Sequence, residues 1–455
     1  MGNWRHISGL LLFKKISPFF LLPLIFLSCH YGPEVEHLTI LFTGDLEGHA
    51  ATRRDGSGGL ARIAALKKQT LAENPRTILL DAGDAVVGTA LATESRGEAL
   101  VRLMNRAGYD AALLGNHEFD LGPEQVARYR ELASFPYLAA NVQDESGRLK
   151  ADAAFQVFPL GRVRLGVIGV ANPNTVHLVN PEKIRGLIFS PPELAIRQAQ
   201  DAMADQADVV ILLTHLGLGE DSRLTRRLEG IGLILGGHSQ VEIHGLRIKD
   251  EVRIMHAGDS GEYLGRVDLY YDVNKKKVVK WKGKLIRVKA GIPEDPDLKA
   301  ALEKEEQNLP AGLDRELCRL WWGKDRDELG PWVAGVIQER LGTDFGVINT
   351  GGVRKDLPAG PITPEDIYEL MPFNDRLARF EIKGRDLEQL LRARHLYFSA
   401  GPRLRQDQTY SVGSVDFLLK IHEFPGSRNP ISSDLILRQA LIETLTLPKG
   451  DRCKI

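Results

Sequence analysis

From Leu38 onward, short apolar runs alternate with longer amphipathic stretches. Leu38–Phe42, Thr77–Leu80, Ala111–Leu114, Val209–Leu213 and Leu233–Leu235 have the length and composition of buried strands. Between them, Gly59–Leu71, Gly97–Ala107 and Pro192–Ala204 read as helices. This alternation predicts right-handed crossovers and a largely parallel sheet with helices on its faces. Val163–Val170, Gly265–Tyr271 and Lys277–Val288 read as antiparallel strands that edge this sheet or complete a second one. Pro293-Glu294-Asp295-Pro296 closes the unit, and the charged Asp297–Gln307 reads as a solvated linker helix. The expected division is a first domain over 30–292, a linker over 293–319 and a second, smaller α/β domain over 320–455.

The polar residues that matter stand at the ends of these runs. Gly44-Asp45-Leu46-Glu47, Asp81-Ala82-Gly83-Asp84, Gly115-Asn116-His117-Glu118, Thr214-His215-Leu216-Gly217 and Gly236-Gly237-His238-Ser239-Gln240 each follow a predicted strand. The carboxyl ends of strands are where an open α/β sheet places its ligands. Together the motifs offer enough N and O donors for two adjacent metal ions. Paired cations serve phosphate-ester chemistry, because they hold both the attacking and the leaving oxygen.

Composition narrows the field. The 455 residues carry a formal net charge of -1, so nucleic acid is not an expected partner. Three cysteines exclude a disulfide framework and a CxxC zinc site. The first 28 residues read as an export signal: Arg5, Lys14 and Lys15 precede the apolar Ile16–Leu27, which is too short for a stop-transfer helix. Ser28-Cys29 resembles a bacterial lipoprotein site, with Phe26 departing from the usual aliphatic residue. That makes Cys29 the expected lipid anchor and the only membrane attachment, at the periplasm or cell surface.

The ordered motifs, above all Gly115-Asn116-His117-Glu118-Phe119-Asp120, resemble the calcineurin-like metallophosphoesterases. Asn349-Thr350-Gly351-Gly352-Val353-Arg354 and Met371-Pro372-Phe373-Asn374 resemble the C-terminal domain of the 5'-nucleotidase family within them. The resemblance implies a four-layer α/β/β/α sandwich followed by a smaller α/β substrate domain. It also implies hydrolysis of phosphate monoesters, with nucleotides the default substrate, by a metal-bound hydroxide. Two other readings stay open: a non-catalytic surface protein that keeps the fold, and a hydrolase of a cyclic phosphodiester or sulfur-containing ester.

The resemblance assigns Asp84 as the bridging carboxylate and Asn116, His215 and His238 to one ion. That mixed N/O set suits Zn, Mn, Fe or Co. The other ion would fall to Asp45, Glu47, Asp84 and Gln240. Here the chain departs from the expected pattern of Asp-x-His and His-x-His, having Glu47 and Gln240 in place of imidazoles. An oxygen-only set favours Mn or Mg, and the alternative is a weak or vacant site. His49 and His244 lie nearby as weaker substitutes. His117 is the implied catalytic group, oriented by Asp120. The bland alternatives are an Asp84 that caps the next helix and an Asp120 that caps the helix beginning near Pro123.

In the C-terminal block the resemblance makes Arg354 a phosphate clamp, with Asn349 and Gly351 shaping the turn. A planar guanidinium grips phosphate bidentately. Arg392 and Arg394 are weaker clamp candidates. The chain lacks about 40 family residues before Tyr410 and the Gly-rich aromatic loop that follows. Phe398 and Phe424 are the only evident counterparts of the base-stacking aromatics. Cys318 and Cys453 either pair or remain free thiols.

Overall fold

Leu38, Ile40 and Phe42 point to one side of the first strand and Leu41 to the other, and both sides are buried. A strand with two apolar faces needs cover on both. The computed structural model, which describes residues 34–421, 423–446, 453 and 455, supplies it. The leader with Cys29, and His422, lie outside the described residues.

Two six-stranded sheets face each other. In the first, Val35–Thr43, Thr77–Asp81, Ala111–Leu113 and Tyr137–Leu138 run parallel, and Tyr263–Asp272 and Lys277–Arg287 add antiparallel strands beyond Val35–Thr43. In the second, Val163–Val170, Val209–Thr214, Ile231–Gly236 and Val252–His256 run parallel, flanked by antiparallel Phe155–Leu160 and Arg247–Lys249. Val163–Val170 therefore departs from the expected antiparallel edge: it is antiparallel only to Phe155–Leu160 and lies parallel to Val209–Thr214.

Apolar side chains from both sheets, Ile40 and Leu80 with Leu213 and Leu235 among them, form the inner core. Helices Leu60–Glu73 and Glu98–Ala107 cover the outer face of the first sheet, and Pro192–Met203 covers the second. These are the four α/β/β/α layers. A mixed five-stranded sheet follows, in the order Leu396–Phe398, Phe345–Asn349, Thr409–Val415, Arg376–Lys383, Arg428–Ile436. Helix Arg326–Leu341 packs on it, and the sheet has its own core.

Two sequence expectations are decided here. Cys318 and Cys453 form a disulfide. Phe424 is 3% exposed and stacks on Phe380 with ring centroids 4.6 Å apart. It is a core residue of the third sheet, so its ring is not available to a substrate. Phe424 follows the short helix Asp416–Lys420, and a single sequence cannot tell a core aromatic there from an exposed one. No described helix is long and apolar enough to cross a membrane.

Candidate metal centre

Every motif arrives at one place. Asp45 follows the first strand, Asp84 the second, Asn116 and His117 the third, His215 follows Val209–Thr214, and His238 follows Ile231–Gly236. The loops are drawn together by close backbone packing. A Cβ on Gly115 would lie 2.3 Å from Asp84 Oδ1, and one on Gly237 would lie 2.9 Å from His215 Nδ1. Asp45, Glu47, Asp84, His238 and Gln240 all have positive φ, between 45° and 74°. Non-glycine residues in that region cost energy and cluster at functional sites.

Asp84, His215 and His238 form a group with metal-ligand spacing. His215 is fully buried, and its Nδ1 donates to Ala82 O at 2.7 Å. Its Nε2 then carries the lone pair and lies 2.8 Å from Asp84 Oδ2. Two acceptors that close require a positive charge between them, either a proton or a metal ion. In the protonated form burial opposes the charge, but Asp84 outweighs it and holds His215 up at about 10. Burial and the neighbouring His215 push His238 down to about 4, leaving it neutral and able to ligate. Asn116 Oδ1 and His215 Nε2 are buried without a hydrogen-bond partner. Buried acceptors without a partner are costly, and these two belong to motifs that each follow a strand end.

Asp84 does not cap a helix. It accepts the His117 N–H at 2.8 Å, while Thr89 caps the next helix. Asp120 likewise bonds His117 Nδ1 at 2.8 Å, and the helix from Pro123 begins after Gly122 with no side-chain cap. His117 Nε2 is left facing Asp84 Oδ2 at 4.0 Å. Burial works against the imidazolium, but Asp120 and Asp84 together raise it to about 9.

Glu47 is engaged rather than open. It is ion-paired to Arg354 and receives the Gln240 side-chain amide. Asp45 takes the His238 N–H on both carboxylate oxygens, at 3.0 and 2.9 Å. His49 is buried, with Nδ1 3.1 Å from Leu46 O and Nε2 3.0 Å from Lys355 Nζ. His244 is exposed beside Glu242. Neither imidazole is free to replace the missing ones.

Arg354 brings the C-terminal unit to the centre. Asn349 lies over the glycine turn: a Cβ on Gly352 would lie 2.7 Å from its Oδ1, and one on Gly351 3.4 Å from its Nδ2. Phe398 is half-buried on the strand paired with Val347. Arg392 pairs with Glu388 on the surface, and Arg394 is exposed. A recess of about 1230 Å³ between the units is lined by His49, Arg54, Lys355 and Glu369, but by none of the candidate metal residues.

Three groups to which the sequence assigned no role complete the site. Glu118 accepts the N–H groups of Asp84, Ala85 and Gly115 at 3.0, 2.9 and 2.7 Å, tying two motif loops together. Phe373 approaches His117, ring centroids 5.6 Å apart. Arg438 fixes that loop by donating to the carbonyls of Met371, Pro372 and Phe373. Glu118 was legible as part of its motif, but Arg438 lies in an unremarkable helix.

Residues 38–242 match the calcineurin-like phosphoesterase family and residues 307–428 the 5'-nucleotidase C-terminal domain. A 5'-nucleotidase of Vibrio vulnificus is 30% identical over 413 residues, covering 77% of this chain and 74% of that protein. The chain belongs to the 5'-nucleotidase family. Protein UshA of Escherichia coli is 28% identical over 419 residues, covering 78% of this chain and 76% of UshA. A 5'-nucleotidase precursor from Thermus thermophilus superposes with TM-score 0.80 at 25% identity, covering 90% of this chain and 96% of that one. The sulfate thiohydrolase SoxB of Thermus thermophilus shares the fold, with TM-score 0.78 at 18% identity over 91% of this chain and 98% of SoxB. Members of this family are metallophosphoesterases that act on small phosphorylated substrates with divalent metals, and the two-sheet sandwich with its C-terminal domain is the family fold.

Proposed function

We propose that this chain is an exported hydrolase of phosphate monoesters, with 5'-nucleotides as the substrate class. The observation that carries this reading is the pair of orphaned acceptors, Asn116 Oδ1 and His215 Nε2, set beside Asp84 and His238. These four residues fit a divalent ion of the Zn, Mn, Fe or Co type, with neutral imidazole and carboxylate donors. When bound there, such an ion supplies Lewis-acid charge and a water of lowered pKa.

The chain's own residues do the rest. Ala82 O fixes the His215 tautomer, so Nε2 is the ligating nitrogen. Asp120 holds His117 by Nδ1, which leaves Nε2 turned toward the centre. From there His117 stabilises charge on the phosphoryl or leaving oxygen, or gives it a proton. Arg354 presents its guanidinium from the opposite unit to grip phosphate, with Asn349 and Gly351 shaping its turn. Phe373, not Phe424, is the ring beside the reacting groups.

Export is supported by the apolar leader and by the Cys318–Cys453 disulfide, since such bonds persist in oxidising compartments. Cys29 would carry the lipid anchor. The test is an assay of purified protein on a 5'-nucleotide, a simple aryl phosphate and a cyclic diester, with Mn, Mg, Co and Zn in turn. His215→Ala should lose both its ion and its activity while keeping its fold. Retained hydrolysis by that variant with any metal would overturn the assignment.

A further inference from the structure

Glu47 stands where a second cation would need a ligand, and it already has a cationic partner. Its Oε1 receives both the Arg354 guanidinium and the Gln240 amide. Asp45 gives both oxygens to the His238 N–H. Of the four residues that an oxygen-only second site requires, Asp45 is thus engaged through both oxygens and Glu47 through Oε1, while Gln240 is tied to Glu47 by its amide nitrogen. The fourth, Asp84, faces His215. Among the described residues the group with metal-ligand spacing is Asp84, His215 and His238, and it includes neither Asp45 nor Glu47.

The local charge points the same way. Lys355, next to Arg354 in sequence, places its Nζ 3.0 Å from His49 Nε2 and 3.4 Å from Glu369. The loop carrying Glu47 and His49 is therefore met by two basic side chains, Arg354 and Lys355, from the C-terminal unit. Glu47 is 5% exposed, so water screens this charge poorly. A divalent ion entering there would have to displace the guanidinium from its carboxylate.

We infer that the Arg354 guanidinium takes the place of the second metal ion, with Glu47 as its anchor, so that the centre holds a single ion. This rests on the reading that Asp84, Asn116, His215 and His238 hold one. An imidazole at position 47 would offer nitrogen to a metal. The carboxylate found there offers charge to an arginine instead. A guanidinium has five N–H donors in a planar fork, so the contact with Glu47 leaves others for phosphate oxygens. It can hold and neutralise phosphate, but it cannot acidify a water as a metal does.

Metal counting tests this directly. Wild-type protein saturated with Mn and freed of excess should contain one ion per chain by elemental analysis. The double variant Glu47→His, Arg354→Met should contain two. Two ions in the wild type would overturn the inference and leave the proposed function standing. No ion in the wild type would overturn both. A folded double variant that still holds one ion would show that Arg354 does not fill the second place. Should the double variant not fold, electron paramagnetic resonance of the Mn-loaded wild type decides. The signal of an isolated ion is expected, and that of an exchange-coupled pair would refute the single-ion centre.

Discussion

His117 Nδ1 lies 2.8 Å from Asp120 Oδ2, and this bond turns the other ring nitrogen toward Asp84. The imidazole is thereby oriented without being used as part of the metal-spaced group. His117→Asn should retain the metal and lose about two to four orders of magnitude in turnover, the usual range for general acid–base groups. Asp120→Asn should keep part of that activity, because the ring remains. Elemental analysis beside kcat separates the roles: loss of metal in His117→Asn would make the residue a ligand.

Phe373 and Phe424 should behave oppositely. Phe424 is packed in the third sheet's core, and Phe424→Ala should destabilise the C-terminal unit by about 3–5 kcal/mol, as large core deletions do. Its KM for a nucleotide should barely move in the folded protein. Phe373 is half-buried against His117, and Phe373→Ala should raise KM with little change in denaturation midpoint. Equal effects on KM from the two variants would count against this placement.

The convergence of the motifs was legible because five of the predicted strands each end in one, and strand ends in a parallel arrangement must converge. The split into two facing sheets came from the resemblance and not from periodicity, since strands apolar on both faces look alike in either sheet. Asp84, Asn116, His215 and His238 were readable as residue types at strand ends. The engagement of Glu47 was not, because its partner Arg354 lies 307 positions away. Phe373 was visible as part of Met371-Pro372-Phe373-Asn374, but its place beside His117 was not, because the two residues come from different units. Phe424 misleads because an aromatic after an apolar helix fits a core as well as a cleft.

Cys318 and Cys453 close a separation of 135 residues around the C-terminal unit. Cys318→Ser should lower stability by about 2–5 kcal/mol, within the range for native disulfides. Reductant should lower the melting temperature of wild type but not of the variant. Metal content should be unchanged in both, because the bond lies in the other unit. A wild-type melt indifferent to reductant would argue that the thiols are not paired in the purified protein, and would remove one support for export.

Glu369 gives the contact between the two units a pH dependence. It lies 3.4 Å from His49 Nε2 and 3.4 Å from Lys355 Nζ, joining residues from both. Burial alone would raise this carboxyl, but His49 and the Lys355 ammonium outweigh burial and draw it down to about 2. The unfolded chain holds its proton at an ordinary glutamate value of about 4.3. With the folded value the lower one, the unfolded state binds the proton more tightly below that point. The contribution is therefore complete above about pH 4.3 and is lost as pH falls toward 2. A shift of this size corresponds to roughly 3 kcal/mol at most, reduced by whatever solvent reaches the partly exposed side chain. Glu369→Gln should be less stable than wild type at neutral pH, and the two urea midpoints should converge between about pH 4.3 and 2. Midpoints that stay parallel down to about pH 2 would mean that the carboxylate contributes nothing to holding the two units together.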